Sequence, residues 1–258
     1  MASREAEAAL CLAELCQKPP LTAPLAQTEA QALVVATAGN APYLARLMSK
    51  YPDQLAAIFC HGFDSTWAQL TEESATLAVA QIDAASMMRA LRHLKARVAL
   101  TTALADISGH WPLMTVTRAL SEFAGHAVTA ALRHLLHKAA ERGEFRIVTP
   151  EAPETATGII ILGMGKLGAY ELNYSSDIDL IVLFDKEALP YTGPRSAQHF
   201  MSKLAGDLVN LLQEDQQREL TLSSLRRDKY YLGRRNAIPE PFLRDDLMML
   251  ILSAMVRG

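Results

Sequence analysis

The chain is poor in several features that would otherwise define its class. It has 258 residues but only 3 cysteines, Cys11, Cys16 and Cys60, and no Cys-x-x-Cys pair. That excludes a disulfide scaffold and a cysteine-based zinc site, and suggests reduced thiols in a cytoplasm. Neither sign of charge dominates: the formal net charge is −3 and the isoelectric point about 6.2. No basic stripe supports nucleic-acid binding. The longest apolar runs, Gly158–Met164 and Leu247–Val256, are too short to span a bilayer. The first residues, Met-Ala-Ser-Arg-Glu-Ala-Glu, mix charges and do not read as a secretory signal. The expectation is a cytoplasmic protein without nucleic-acid or membrane partners.

Half of the residues are hydrophobic, enough for one or two cores. Residues 1–145 read as a helical region, with apolar residues at three- and four-residue spacing over Thr28–Val35, Pro42–Phe59, Glu73–Leu104 and Val116–Glu141. Breaks fall at Gly39–Pro42, Gly62–Ser65 and Gly109–Pro112. Arg92, His93, Lys95 and Arg97 are read as a solvated helix face rather than a phosphate contact. Residues 146–213 change character. Phe145–Thr149, Gly158–Leu162 and Ile178–Phe184 have strand composition, and Ser196–Gln213 reads as a helix with Phe200, Leu204, Leu208, Leu211 and Leu212 on one side. Pro150–Thr157 reads as the hinge between these regions. Residues 214–258 form a divergent tail: a charged stretch to Arg235, then an apolar helix over Phe242–Val256 with nothing that completes a sheet. The class is α+β, a helical array followed by a small mixed sheet.

The chemistry concentrates in Gly163–Leu180. A strand runs into Gly163-Met-Gly165-Lys166-Leu-Gly168, and a second strand opens with Asp177-Ile-Asp179. Side chains alternate along a strand, so the two carboxylates share a face. Their mutual repulsion makes them costly unless a cation lies between them, and a divalent ion is the usual partner. A glycine turn beside a carboxylate pair is equipment for phosphoryl or nucleotidyl transfer. The decoy is a Rossmann dinucleotide site, since the turn fits Gly-x-Gly-x-x-Gly and Asp185 closes the next strand. Against it stand the short connecting helix and the paired acids. A Walker loop fails because Leu167 stands where Ser or Thr is needed. His134 and His137 lack accompanying ligands and read as surface histidines.

At these residues the chain resembles a known family. Gly163–Gly168, Glu171-Leu-Asn173 and Ser175-Ser176-Asp177-Ile-Asp179-Leu180 are similar to the glutamine synthetase adenylyltransferase/adenylyl-removing enzymes, of the DNA polymerase β-type nucleotidyltransferase superfamily. Ala41–Arg46 and Leu91–Gly109 resemble the helical part of that family's N-terminal half, and the likeness covers roughly residues 30 to 213. The resemblance implies two homologous catalytic halves in the full enzyme. One adenylylates a tyrosine of glutamine synthetase with ATP; the N-terminal one removes AMP by phosphorolysis and releases ADP, in regulation of nitrogen assimilation. A PII-type signalling protein and glutamine set the direction. It further implies that Asp177 and Asp179 are catalytic ligands of Mg²⁺ or Mn²⁺. Gly165, Lys166 and Gly168 would hold the nucleotide phosphates, and Ser176 would stand at the mouth of the site. The family places a third carboxylate on a later strand in a pattern like Asp-x-Arg-x-Arg-Pro. Here the likeness stops after about Gln213, and Asp228, in Arg226-Arg227-Asp228, lacks an apolar strand to carry it. The tail reads as a truncation or frame change, which keeps an inactive fragment serving as an interaction module as the alternative, with the Rossmann protein behind it.

Overall fold

A computed structural model describes residues 2–174, 176–213 and 247–254. They comprise α1 (Ala2–Cys16), α2 (Thr28–Asn40), α3 (Pro42–Lys50), α4 (Pro52–His61), α5 (Phe63–Leu77), α6 (Ala84–Ile107), α7 (Leu113–Glu141), β1 (Ile159–Gly163), α8 (Gly165–Gly168), β2 (Ile178–Asp185), α9 (Ala197–Leu212) and β3 (Leu247–Ala254). The α+β class is as expected. Among the described residues no helix is long and apolar enough to cross a membrane, and all three cysteines are free.

The chain forms two compact units. One holds residues up to Glu73 together with His93–Phe123; the other holds Ser74–Arg92 and the described residues from Ala124 onward. The first is all helical. Leu15, Leu21, Val34, Met48, Leu55, Leu100 and Leu104 are at or near zero exposure in its core. Two expected helices are each split by local chemistry. Pro52 opens α4 as a first-turn proline, which ends α3 before it. Asp83 caps α6, taking the Ser86 amide (2.9 Å) and hydroxyl (2.8 Å), and so separates α6 from α5. The basic stretch of α6 is not simply solvated. Arg97 is half-buried, paired with Glu73 at 2.6 Å and bonded through Nε to Gln54 at 2.7 Å.

In the second unit, the α7 residues Ala124, Val128, Leu132 and Leu136 are all buried, a four-residue spacing that keeps one face inward. On α9 the buried face is Phe200, Met201, Leu204, Ala205, Leu208 and Leu211, and Ser196 caps the helix by accepting from the His199 amide. The sheet order is β1-β2-β3. Both pairings are antiparallel, with Gly163 opposite Leu180 and Leu180 opposite Leu252. This corrects two expectations and removes one alternative. The sheet is antiparallel rather than mixed among the described residues. A Rossmann unit needs parallel strands joined by a crossover, so the antiparallel β1–β2 pair excludes the dinucleotide reading. The apolar run expected as a helix over Phe242–Val256 is a strand at Leu247–Ala254, because an unbroken apolar run carries no period and β2 supplies the hydrogen-bonding partner.

Two further segments differ from the sequence reading. Phe145–Thr149 contributes only an isolated bridge, Phe145 to Tyr191. The expected hinge, Pro150–Thr157, is fastened to α7. Arg133 makes a two-pronged ion pair with Glu154 (2.7 and 3.0 Å), and His137 Nε2 donates to the Pro150 carbonyl at 3.0 Å. His134 is not a surface residue: it is 4% exposed, because its position on α7 turns inward.

Candidate active site

β2 begins with a strict alternation. Ile178 and Leu180 are buried, while Asp177 and Asp179 are exposed. Beyond Ile181 the alternation stops: Val182, Leu183 and Phe184 are all buried, so the strand is covered on both faces there. The acid pair therefore stands at the one end of β2 where a face is open.

The glycine turn is held against that end by the backbone. The Met164 amide donates to the Asp179 carbonyl at 2.8 Å, continuing the β1–β2 ladder into the turn. Three glycines are needed here for distinct reasons. Gly165 has φ +54°, in the left-handed region. A Cβ on Gly168 would lie 2.5 Å from the Gly163 carbonyl oxygen, and one on Gly163 would meet Leu167 at 2.8 Å. The turn thus folds back tightly on the end of β1. It leads into α8, whose single turn contributes next to no dipole. The amides of Leu167 and Gly168 already donate to the Met164 carbonyl, at 3.2 and 3.4 Å. Gly165 and the Lys166 side chain remain exposed at this turn.

Ser176 lies between this turn and Asp177. Its hydroxyl donates to Asn173 Oδ1 at 2.6 Å and accepts from the Asn173 amide at 3.3 Å. The Ser176 amide closes the turn on the Asn173 carbonyl at 3.2 Å. This local knot sets the direction in which the chain enters β2, and so aims Asp177. Sequence reasoning did not single out Asn173 for that role, although Asn three residues before Ser is a recognisable turn pattern. Met164, Tyr170 and Tyr174 are exposed on the same connection. Tyr170 has φ +59°, unusual for a residue with a side chain.

These residues bring together the glycine turn, Lys166, Ser176 and the acid pair. No third acid joins them: among the described residues no group of three or more metal-ligating side chains occurs. Asp228 lies outside the described residues. On β3 the position opposite Asp179 is Ser253.

The chain that carries this antiparallel hairpin, with its glycine turn and Asp-x-Asp, matches one family model, glutamate-ammonia ligase adenylyltransferase, over residues 31–220. The chain belongs to this family. Three relatives, each named bifunctional glutamine synthetase adenylyltransferase/adenylyl-removing enzyme, illustrate the match. One from Bradyrhizobium diazoefficiens is 41% identical over 211 residues, which is 82% of this chain and 21% of the relative. One from Rhodopseudomonas palustris is 42% identical over 173 residues, 67% of this chain and 18% of the relative. One from Xanthobacter autotrophicus is 39% identical over 185 residues, 72% of this chain and 19% of the relative. The chain thus spans about a fifth of the length of the curated relatives it matches. The family match takes in α3 to α7 as well as the hairpin.

Proposed function

We propose that this chain is a nucleotidyltransferase segment acting on glutamine synthetase, and that it removes AMP from the adenylylated tyrosine by phosphorolysis. The observation that carries the reading is the exposed Asp177–Asp179 pair, flanking buried Ile178, at a strand end to which the glycine turn is hydrogen-bonded. In the reaction an oxygen of inorganic phosphate bonds to the phosphorus of AMP. The bond from that phosphorus to the tyrosine oxygen breaks, the phenol takes a proton, and ADP leaves.

Two exposed carboxylates on one strand face are oxygen donors suited to a hard divalent cation, so Asp177 and Asp179 fit Mg²⁺ or Mn²⁺. When bound, that cation would offset the charge on the reacting phosphates. Lys166 and the Gly165 amide hold the nucleotide phosphates from the turn. Gly168 lets the turn approach the strand closely enough to do so. Ser176 and Asn173 fix the angle of the Asp177 carboxylate. In this reading residues 146–213 are the catalytic core, residues 1–145 the helical region that precedes it in sequence, and 214–258 a divergent tail. The location is the cytoplasm. ATP serves adenylylation, a separate reaction that releases pyrophosphate, and a PII-type protein is the regulatory partner.

A second reading has its own support. Ser253 occupies the register position facing Asp179, where a third carboxylate would complete a metal site. It favours a catalytically silent segment that engages the synthetase through its helices. One experiment separates the two. The chain is incubated with adenylylated glutamine synthetase, Mg²⁺ and phosphate, and ADP is measured. Release of ADP that is lost in Asp177→Ala is the expected result. No ADP, with binding to the synthetase intact, supports the silent segment. Pyrophosphate formed from ATP and unmodified synthetase would reverse the proposed direction.

A further inference from the structure

The second unit carries a separate cavity of about 300 Å³, built from the C-terminal turn of α7, the segment after β2 and the first turns of α9. It follows the C-terminal end of β2, whereas Asp177 and Asp179 sit at the N-terminal end. Its floor is apolar and fixed. Tyr191 stacks on Phe200 with centroids 4.5 Å apart, and Phe145 stacks on Phe200 at 5.8 Å. The 190–195 loop is stitched to the α7 exit. The Arg146 amide donates to the Pro190 carbonyl, and the Thr192 amide to the Glu144 carbonyl, both at 3.0 Å. The Thr192 hydroxyl donates to the Gly143 carbonyl at 3.1 Å. A Cβ on Gly193 would collide with the Tyr191 ring, 2.5 Å from its hydroxyl oxygen, so the loop wraps that ring closely.

The rim is charged along one line. Arg195, His199, Lys203 and Asp207 recur at four-residue spacing just before and along α9, so they form one row facing the cavity. Arg142 also reaches the rim but is neutralised by Glu144 at 2.8 Å. Arg195 donates from Nη1 to His199 Nε2 at 2.6 Å. A guanidinium only donates, so the His199 nitrogen accepts in this bond. The other guanidinium donors and the Lys203 ammonium have no carboxylate partner within ion-pair distance among the described residues. The row therefore holds two cations without an ion-pair partner, Arg195 and Lys203, with His199 between them and Asp207 one turn beyond, over an aromatic floor.

We propose that this cavity binds a small oxyanion, a phosphate or carboxylate group held between Arg195 and Lys203, at a site distinct from the acid pair. Arg195 supplies the planar fork that suits an oxyanion, and Lys203 the second charge about two turns on, past His199. The fixed loop spares the ordering cost that an open surface pair would incur. Asp207, at the far end of the row, favours a ligand that carries a hydrogen-bond donor at its other end.

The test uses the whole chain in EDTA, so that no metal-dependent phosphate binding at the acid pair contributes. Inorganic phosphate is titrated by calorimetry against chloride of matched ionic strength, and acetate is titrated in parallel. Phosphate should bind, and Arg195→Glu and Lys203→Glu should each weaken it by roughly tenfold or more. Both residues are exposed, so the fold should persist, with circular dichroism as the check and Arg195→Gln as the milder variant. Loss of phosphate binding in Lys166→Gln, with Arg195→Glu unaffected, would place the phosphate at the glycine turn and overturn the proposal. Acetate binding as tightly as phosphate would identify a carboxylate as the group recognised. No binding beyond chloride, or equal binding by the charge-reversal variants, would overturn the proposal.

Discussion

Gly168 and His134 are the residues at which single atoms decide most. A methyl group at 168 would lie 2.5 Å from the Gly163 carbonyl oxygen, and that oxygen is backbone in a paired strand, unable to rotate away. Gly168→Ala should therefore cost about 1–3 kcal/mol in denaturant unfolding. It should also lower phosphate-turn function more than the exposed position suggests. His134 is buried with its Nε2 making no hydrogen bond. Burial, and next the nearby Lys138 charge, hold its pKa below the usual 6.5. The folded chain thus keeps this imidazole neutral where the unfolded chain protonates it. Its contribution to stability is fully present above the unfolded pKa and is lost as pH falls from there toward the folded value. Unfolding midpoints measured from neutral pH downward should drop on the acid side. His134→Leu should flatten that limb; an unchanged acid limb would refute the assignment.

β3 is the element whose pairing matters most for the site. β2 carries Asp179, and its ladder has β1 on one side and β3 on the other. Proline at position 250, opposite Val182, would remove an N–H from the middle of that ladder. Leu250→Pro should speed amide exchange at Val182 and Phe184 and leave a strand edge prone to association, seen as light scattering at raised concentration. Unchanged protection of those amides would show that β2 does not depend on β3. The splits between α3 and α4 and between α5 and α6 belong to the same scale. Hydrophobic spacing ran through both, but a first-turn proline at Pro52 and the Asp83–Ser86 cap are local signals that outrank it.

At the scale of the whole molecule, helices dominate among the described residues, and the sheet described there lies in the second unit. Far-ultraviolet circular dichroism should be strongly helical; a spectrum with more strand than helix would contradict the architecture. Both tryptophans, Trp67 and Trp111, lie in the first unit, with ring centroids 6.1 Å apart, and the Trp111 indole donates to Asp64 at 2.7 Å. Their fluorescence reports that unit's unfolding. The two candidate binding places, by contrast, both lie in the second.

The sequence alone determined the α+β class, the family likeness, the course of α7 and α9, and the pairing of Asp177 with Asp179 on one face. Each follows from short-range rules: apolar spacing of 3.6 or 2, a serine cap, and a motif whose members lie within a few residues. Tertiary structure decided what those rules cannot reach. Leu247–Ala254 is apolar at nearly every position, so only the hydrogen-bonding edge of β2 makes it a strand. The antiparallel sense of β1 and β2, which removes the dinucleotide reading, depends on how the Gly163–Ile178 connection turns, and a glycine pattern alone is compatible with either sense. His134 and the Arg195–Lys203 row were also beyond reach. Burial of the one, and the cavity beside the other, arise from elements far apart in the chain whose packing no local pattern encodes.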